Sequence, residues 1–278
     1  MVQFNPIYQS PIVRIARWSC DGHSRSPGEP AWSREPTFAF VLHGLFRRYL
    51  GKAEVLAAPG DAIFFPGDSE YRTSHPLDGG DHGIGIRVDP GTLEEILGRA
   101  GHGKVEPDRL LRSRALVPAR AILRLRQLAS ALDKEQPAAL DVDETALLLL
   151  GQAAGGIVVA RGRSAGRAAT RRAHRKAVDR VMELVQARLH ERLRLEEIAR
   201  EAAYSPYHLC RVFRDQTGMT IHGYLNRQRL LRALEVLETQ DNLARLASRL
   251  GFVSHSHFTM AFTTTFRYCP SQWGVRSR

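Results

Sequence analysis

The feature that most constrains this chain is an internal repeat near its C-terminus. Residues 195–218 read LEEIAREAAYSPYHLCRVFRDQTG, and residues 243–266 read LARLASRLGFVSHSHFTMAFTTTF. When one is laid over the other, HLCRVF (208–213) falls on HFTMAF (257–262). Each copy reads as a short helix, a sharp turn and a second helix, the helix-turn-helix pattern. In the first copy Leu195, Ile198, Ala199 and Ala202 recur at helical spacing. Ser205 suits an N-cap, and Pro206 suits the first helical position, where no backbone donor is required. Leu209, Val212 and Phe213 then point inward, and Gly218 is placed to stop the helix. In the second copy Leu243, Leu246, Ala247 and Leu250 face inward, Gly251 supplies the turn and Ser254 the cap, and Phe258 and Phe262 pack. Between the copies a helix from His222 to Glu238 turns Tyr224, Leu225, Leu230, Leu231, Leu234 and Leu237 to one core. At 1.5 Å per residue it spans roughly 25 Å, enough to hold two outward-facing helices on one side of a DNA duplex.

Charge points the same way. Residues 161–278 carry 22 Lys or Arg against 10 Asp or Glu, whereas residues 1–160 carry 18 against 19. A near-neutral half joined to a strongly basic half fits a sensing unit linked to a nucleic-acid-binding unit. A membrane-surface role fits less well, because the basic helices are short and bury their Leu and Phe in pairs. No apolar run approaches the length of a membrane span, and MVQFNPIYQS lacks a secretory pattern, so a cytoplasmic, nucleoid-associated protein is expected. Cys20, Cys210 and Cys269 are scattered, without metal-ligand spacing, and fit a reducing compartment.

From about Val178 to Trp273 the chain resembles the DNA-binding domain of the AraC/XylS family of bacterial transcription regulators. LEEIA, SPYHLCRVF, RLLRALEVLE, LASRLGF, SHFTMAF and the closing Pro270-Ser271-Gln272-Trp273 carry the resemblance, over about a third of the chain. It implies that the second helix of each copy enters a major groove. Tyr207, Cys210 and Arg211, then His255, Ser256 and Met260, would face base edges, while Arg214, Arg227 and Arg249 would meet phosphates. Ala203-Tyr204 stands where the family's first turn has Gly, which implies a tighter or differently shaped turn. Arg267 to Pro270 also departs from the family pattern, and TTTFRY lacks its basic residues, so the second unit reads as the weaker DNA contact.

The first 91 residues read as strands and turns: 12–20, 37–50, 52–58, 62–67, 71–75 and 83–88, separated by Gly, Pro and Asp clusters. Short strands without intervening helices suggest an antiparallel barrel or jelly roll. PGDAIFFPGDSEYRTSHP (59–76) resembles the cupin-like effector domain of many AraC/XylS members. The expected lining of a ligand pocket is Arg14, Trp18, Phe38, Phe40, His43, Tyr71, Arg72 and His75. His43, His75 and His82 lack the grouping of a cupin metal site, so no metal and no cofactor are expected. Short helices are expected at 92–100 and 106–113, with stronger ones at 118–132 and 141–160. The last is apolar over more than one face and suits burial or a homodimer contact. Residues 161–176, rich in Arg, Ala and Gly, read as a flexible basic linker.

The expected architecture is α+β in two domains. A cupin-like β-barrel with appended helices occupies 1–160, and an all-α domain of two helix-turn-helix units joined by a long helix occupies 177–278. The expected function is a sequence-specific, non-enzymatic transcription regulator, more often an activator in the family. Its expected partners are double-stranded DNA, RNA polymerase and a small-molecule effector, and it is expected to dimerise through 118–132 and 141–160 without engaging a membrane. Two other classes compete: a metal-dependent cupin enzyme fused to a DNA-binding domain, and an architectural DNA binder with no effector.

Overall fold

A computed structural model describes residues 2–22, 24–101, 114–134, 137–159, 168–237 and 242–276. The chain divides into two compact units, Met1–Gly162 and Arg163–Arg278. The first contains strands β1 (Gln3–Gln9), β2 (Val13–Cys20), β3 (Ala31–Ser33), β4 (Thr37–His43), β5 (Phe46–Leu50), β6 (Ala53–Ala57), β7 (Asp61–Phe65), β8 (Ser69–Ser74), β9 (Asp81–Val88) and β10 (Arg114–Leu116). Its helices are α1 (Pro90–Gly101), α2 (Ala119–Lys134) and α3 (Ala139–Val159). The strands form a six-stranded sheet, β1-β2-β9-β4-β7-β10, and a four-stranded sheet, β3-β8-β5-β6. Every pairing among the described residues is antiparallel, as expected for a barrel or jelly roll.

Strand alternation sorts the six-stranded sheet into two unlike faces. Phe38 and Phe40 sit opposite Ile86 and Ile84, and Ile86 sits opposite Ile15, so large side chains fill one face. Arg17 on that face donates to the Ala129 carbonyl at 2.9 Å and pairs with Asp133, which ties α2 over it. The other face meets the four-stranded sheet. Trp18 contacts Phe46 edge-on at 5.5 Å, and Phe65 contacts Tyr71 at 4.7 Å. The continuous 37–50 run divides at Gly44, whose φ of 81° is left-handed. A Cβ there would stand 2.5 Å from that of Asp81, so the β4–β5 turn requires glycine.

Three strands exceed the sequence expectation. β1 and β3 lie outside the expected runs, and β10 forms by pairing with β7. The expected helix at 106–113 lies outside the described residues. In the helical pair α2–α3, Leu125, Leu128, Val142, Leu149 and Leu150 are buried within this unit.

The second unit is helical: α4 (Ala168–Ala187), α5 (Leu195–Glu201), α6 (Pro206–Thr217), α7 (Ile221–Val236), α8 (Leu243–Arg249), α9 (His255–Phe266) and α10 (Pro270–Arg276). The segment read as a linker over 161–176 is helical from Ala168 onward. The apolar period that builds α4 begins just after it, at Ala177, Val178, Val181, Met182 and Val185, all buried. The inter-repeat helix ends at Val236, and Glu238 lies outside the described residues. Ser205 and Ser254 cap α6 and α9, accepting from the His208 and His257 amides. Both turns close alike: Tyr204 N donates to Ala199 O and Phe252 N to Ala247 O, each at 3.0 Å. Ala203 and Gly251 both take left-handed φ, 58° and 79°, so the first turn keeps the shape of a glycine turn without a glycine.

Helix α7 is buried nearly all round, polar residues included. Gln186 Nε2 donates to Gln228 Oε1 at 2.8 Å. Arg229 donates to the Leu189 and Glu191 carbonyls at 2.9 and 2.7 Å, and its guanidinium lies 5.9 Å from the Phe252 ring. Burial holds its pKa below the usual guanidinium value. This arginine pins the end of α4 to the second helix-turn-helix. Among the described residues, no helix is long and apolar enough to cross a membrane.

Candidate nucleic-acid interface and ligand cavity

Burial of Leu209, Val212 and Phe213 orients α6, and burial of Phe258, Phe262 and Phe266 orients α9. The opposite faces are exposed. On α6 they carry Tyr207, Cys210, Arg211 and Arg214, and on α9 His255, Ser256, Met260, Thr263 and Thr264. When the N-caps are aligned, Arg211 corresponds to Met260 and Arg214 to Thr263. The first face therefore offers two long cations and the second offers hydroxyls and a thioether. Arg211 makes no hydrogen bond or ion pair to the described residues, which leaves its forked donors available. His174 of α4 packs edge-on against His208 at 5.7 Å, and both rings lie against Tyr204. That contact holds α4 beside α6, with Arg171, Arg172, Arg175 and Lys176 exposed along its first turns.

The first unit encloses a cavity of about 240 Å³ between its sheets. Its floor is the second face of the six-stranded sheet, where Ala16, Ala39 and Gly85 stand in register. Small side chains at these positions leave the space. Next to this floor on the same face of β9, Gly83 cannot be larger, because a Cβ would overlap the Phe40 carbonyl oxygen and approach Trp18 Cζ2 to 2.6 Å. Trp18, Phe46, Phe65 and Tyr71 line the walls, with Arg34, Trp32 and Phe4 also contributing. Burial raises the Tyr71 phenol pKa above its ordinary value. Arg87 stands at one end of β9, and Cys20, His75 and Asp81 gather at the other. Beyond the lining, Arg48 is fully buried; it donates to the Phe64 carbonyl and lies 5.5 Å from the Phe65 ring. Burial pulls its pKa down to about 10.

A family model described as a helix-turn-helix domain matches residues 198–276. PqrA of Proteus vulgaris, named as a probable transcription factor, is 33% identical over 89 residues, 32% of this chain and 73% of PqrA. The chain belongs to the AraC/XylS family of transcriptional regulators. The regulatory protein PocR of Salmonella typhimurium is 32% identical over 93 residues; that match spans 33% of this chain and 31% of PocR. In fold, the crystal structure of ToxT from Vibrio cholerae O395 aligns with 96% of this chain and 98% of that one, at 11% identity and a TM-score of 0.37.

In this AraC/XylS regulator the six residues expected to face bases are all exposed on α6 or α9. Arg214 and Arg249 are also exposed. Arg227 differs from Arg214 and Arg249: it is 9% exposed within α7, with its Nε buried, so most of its side chain packs inside the helical unit. Of the expected effector residues, Trp18, Tyr71 and His75 line the cavity. Phe38 and Phe40 do not, since alternation turns them to the packed face. Arg14 engages Glu35, and Arg87 opposite it lines the cavity instead. Arg72 is exposed near Glu70, and His43 stacks on His82 at 5.1 Å. Cys20, Asp81, Arg34, Arg87 and the glycine floor were missed. Alternating small residues, Gly83-x-Gly85 against Ala16 and Ala39, were the available signal.

Proposed function

We propose that this regulator reads a specific DNA sequence with α6 and α9 and is controlled by a small molecule in the barrel cavity. The observation that carries the reading is the pair of exposed helix faces. Each is projected by a capped helix-turn-helix of the same geometry, in a half of the chain that is strongly basic. Arg211 would make the two-point contact to guanine, and Tyr207, Cys210, His255, Ser256 and Met260 would pack on or bond to neighbouring base edges. Arg214, Arg249 and the exposed cations of α4 would meet phosphates and set the register. The domain roles follow from this: sensing in the first unit, DNA reading in the second, with no catalysis.

The cavity suits a metabolite-sized molecule with an apolar body. The regulator would act in the cytoplasm, at the nucleoid, and more readily as an activator that touches RNA polymerase than as a repressor. Dimerisation through α2 and α3 survives only on their outward side. Leu125 and Leu128 are internal, whereas Leu148 is 53% exposed beside Arg124, Gln127 and Gln152. Selection from randomised duplexes tests the reading. Discrete enriched sites, protected in footprinting, are expected; uniform coating of DNA would support an architectural binder instead. A thermal-shift screen of small molecules identifies the effector.

A further inference from the structure

The sequence shows no metal-ligand spacing, yet the fold gathers three ligand-type side chains from distant positions. Cys20 Sγ, a His75 ring nitrogen and an Asp81 carboxylate oxygen all lie within 4.8 Å of one another. Cys20 and Asp81 are cross-strand partners at the end of the β2–β9 ladder, so both project to the cavity face. His75 follows β8, where its backbone N–H donates to the Ser24 carbonyl at 2.7 Å. Its Nε2 stands 3.1 Å from Asp81 Oδ2.

Two further observations point to a ligand. Asp81 is 4% exposed, and its second oxygen, Oδ1, is buried without a hydrogen-bond partner among the described residues. A buried carboxylate oxygen left unpaired is costly, and a cation would satisfy it. The backbone is also shaped around the cluster. Gly22, at φ 51°, would place a Cβ 2.9 Å from His75 Cδ2. Gly80, at φ 72°, would place one 2.5 Å from the Cys20 carbonyl oxygen.

We propose that Cys20, His75 and Asp81 hold one divalent ion of the Zn²⁺ class, with its fourth coordination position facing the cavity. Mixed sulfur, nitrogen and oxygen donors suit Zn²⁺, with bonds of roughly 2.0–2.3 Å and tetrahedral ligand–ligand separations of roughly 3.2–3.7 Å. The observed spacing brackets that range. Binding requires the Cys20 thiol to release its proton to solvent, as metal binding to thiols does. Thiolate, carboxylate and a dication then sum to zero charge, which suits a buried site. The ion would lie at the opposite end of β9 from Arg87, roughly 20 Å along the strand at 3.3 Å per residue. Trp18 Nε1 lines the same cavity and is buried without a hydrogen-bond partner among the described residues, which leaves it as a donor for a ligand there.

The test is titration of the full-length, chelator-stripped protein with Co²⁺ alone, followed by displacement with Zn²⁺. The expected result is one equivalent per chain, a thiolate-to-cobalt absorption band, and loss of the band on adding Zn²⁺. Cys20→Ser should abolish the band. Asp81→Asn and His75→Gln should each weaken binding at least about tenfold, the scale on which even outer partners of a metal site act. A combined Cys210→Ser, Cys269→Ser variant should keep the band. Circular dichroism checks that each variant folds, and Cys20→Ser, which changes one atom, decides if the others do not. No thiolate band, or a band that survives Cys20→Ser, overturns the site. DNA selection on the metal-stripped protein is read separately, so failure here and failure of the DNA-reading role are distinguishable.

Discussion

Replacing Gly251 with alanine tests the turn that launches the second recognition helix. Gly251 has φ 79°, a region that costs a residue with a Cβ about 1–2 kcal/mol. The added carbon would stand 2.8 Å from the His190 carbonyl oxygen and 2.6 Å from Arg229 Nη2. Neither neighbour yields readily. One is backbone in the turn that follows α4, and the other is a guanidinium held by the Leu189 and Glu191 carbonyls. Overpacking of this kind costs about 1–3 kcal/mol. Restricting the unfolded chain offsets about 0.4–1 kcal/mol of this. The expected net loss is about 1–4.6 kcal/mol, and at roughly 4 °C per kcal/mol it lowers the melting transition of the second unit by several degrees or more. The first turn gives the reciprocal experiment. Ala203 already sits at φ 58°, so Ala203→Gly should relieve the same strain and stabilise by up to about 1.5 kcal/mol. Calorimetry on the full chain reads both, with the second unit's transition identified by its upward shift when duplex DNA is added. If Gly251→Ala leaves that transition unmoved, or Ala203→Gly lowers it as far as Gly251→Ala does, the left-handed turn and its contact with Arg229 are wrongly assigned.

Arg211→Ala should flatten selectivity at one base pair by about 1–3 kcal/mol, whereas Arg214→Ala should weaken all sequences alike and cut the salt slope by about one. Met260→Ala should cost less than Arg211→Ala in the same randomised selection, and unchanged base preferences for Arg211→Ala would remove its reading role. Leu148→Glu should yield folded monomers in sedimentation, while Leu125→Glu should unfold the first unit because it buries an unpaired charge; a wild-type monomer at micromolar concentration ends the dimer proposal. Ser205→Ala and Ser254→Ala should each destabilise the second unit by about 1 kcal/mol through loss of an N-cap, measured by the same calorimetry.

The helical half was legible because its information is local. Apolar residues three and four apart, Ser before Pro206, and Gly218 after Thr217 specify helix, cap and stop without reference to distant chain. The burial of Arg227 was not legible in the same way, since a helix buried nearly all round takes in polar residues as well as apolar ones. In the barrel the strands showed in composition, but which face encloses space depends on register between segments far apart. Phe38 and Phe40 were legible as strand residues suited either to a core or to a cavity wall, and register with Ile84 and Ile86 puts them in the core. Strand β1, largely exposed along QFNPIYQ, exists through pairing with β2, which no local signal announces. Cys20, His75 and Asp81 lie more than fifty positions apart between the first and the others, and only the ladder brings them together.

Gly83 and Gly85, neighbours on one face of β9, differ in what they would allow over evolutionary time. At Gly83 any side chain runs into the Phe40 backbone, so lineages carrying this barrel are locked there. At Gly85 an added methyl would meet Thr37 Cγ2 at 3.5 Å, an ordinary contact. A single codon change at Gly85 would therefore shorten the space available to a ligand by one carbon while leaving the sheet intact. Descendants of this chain could exchange one signal molecule for a slightly smaller one at that position, with the DNA-reading half untouched.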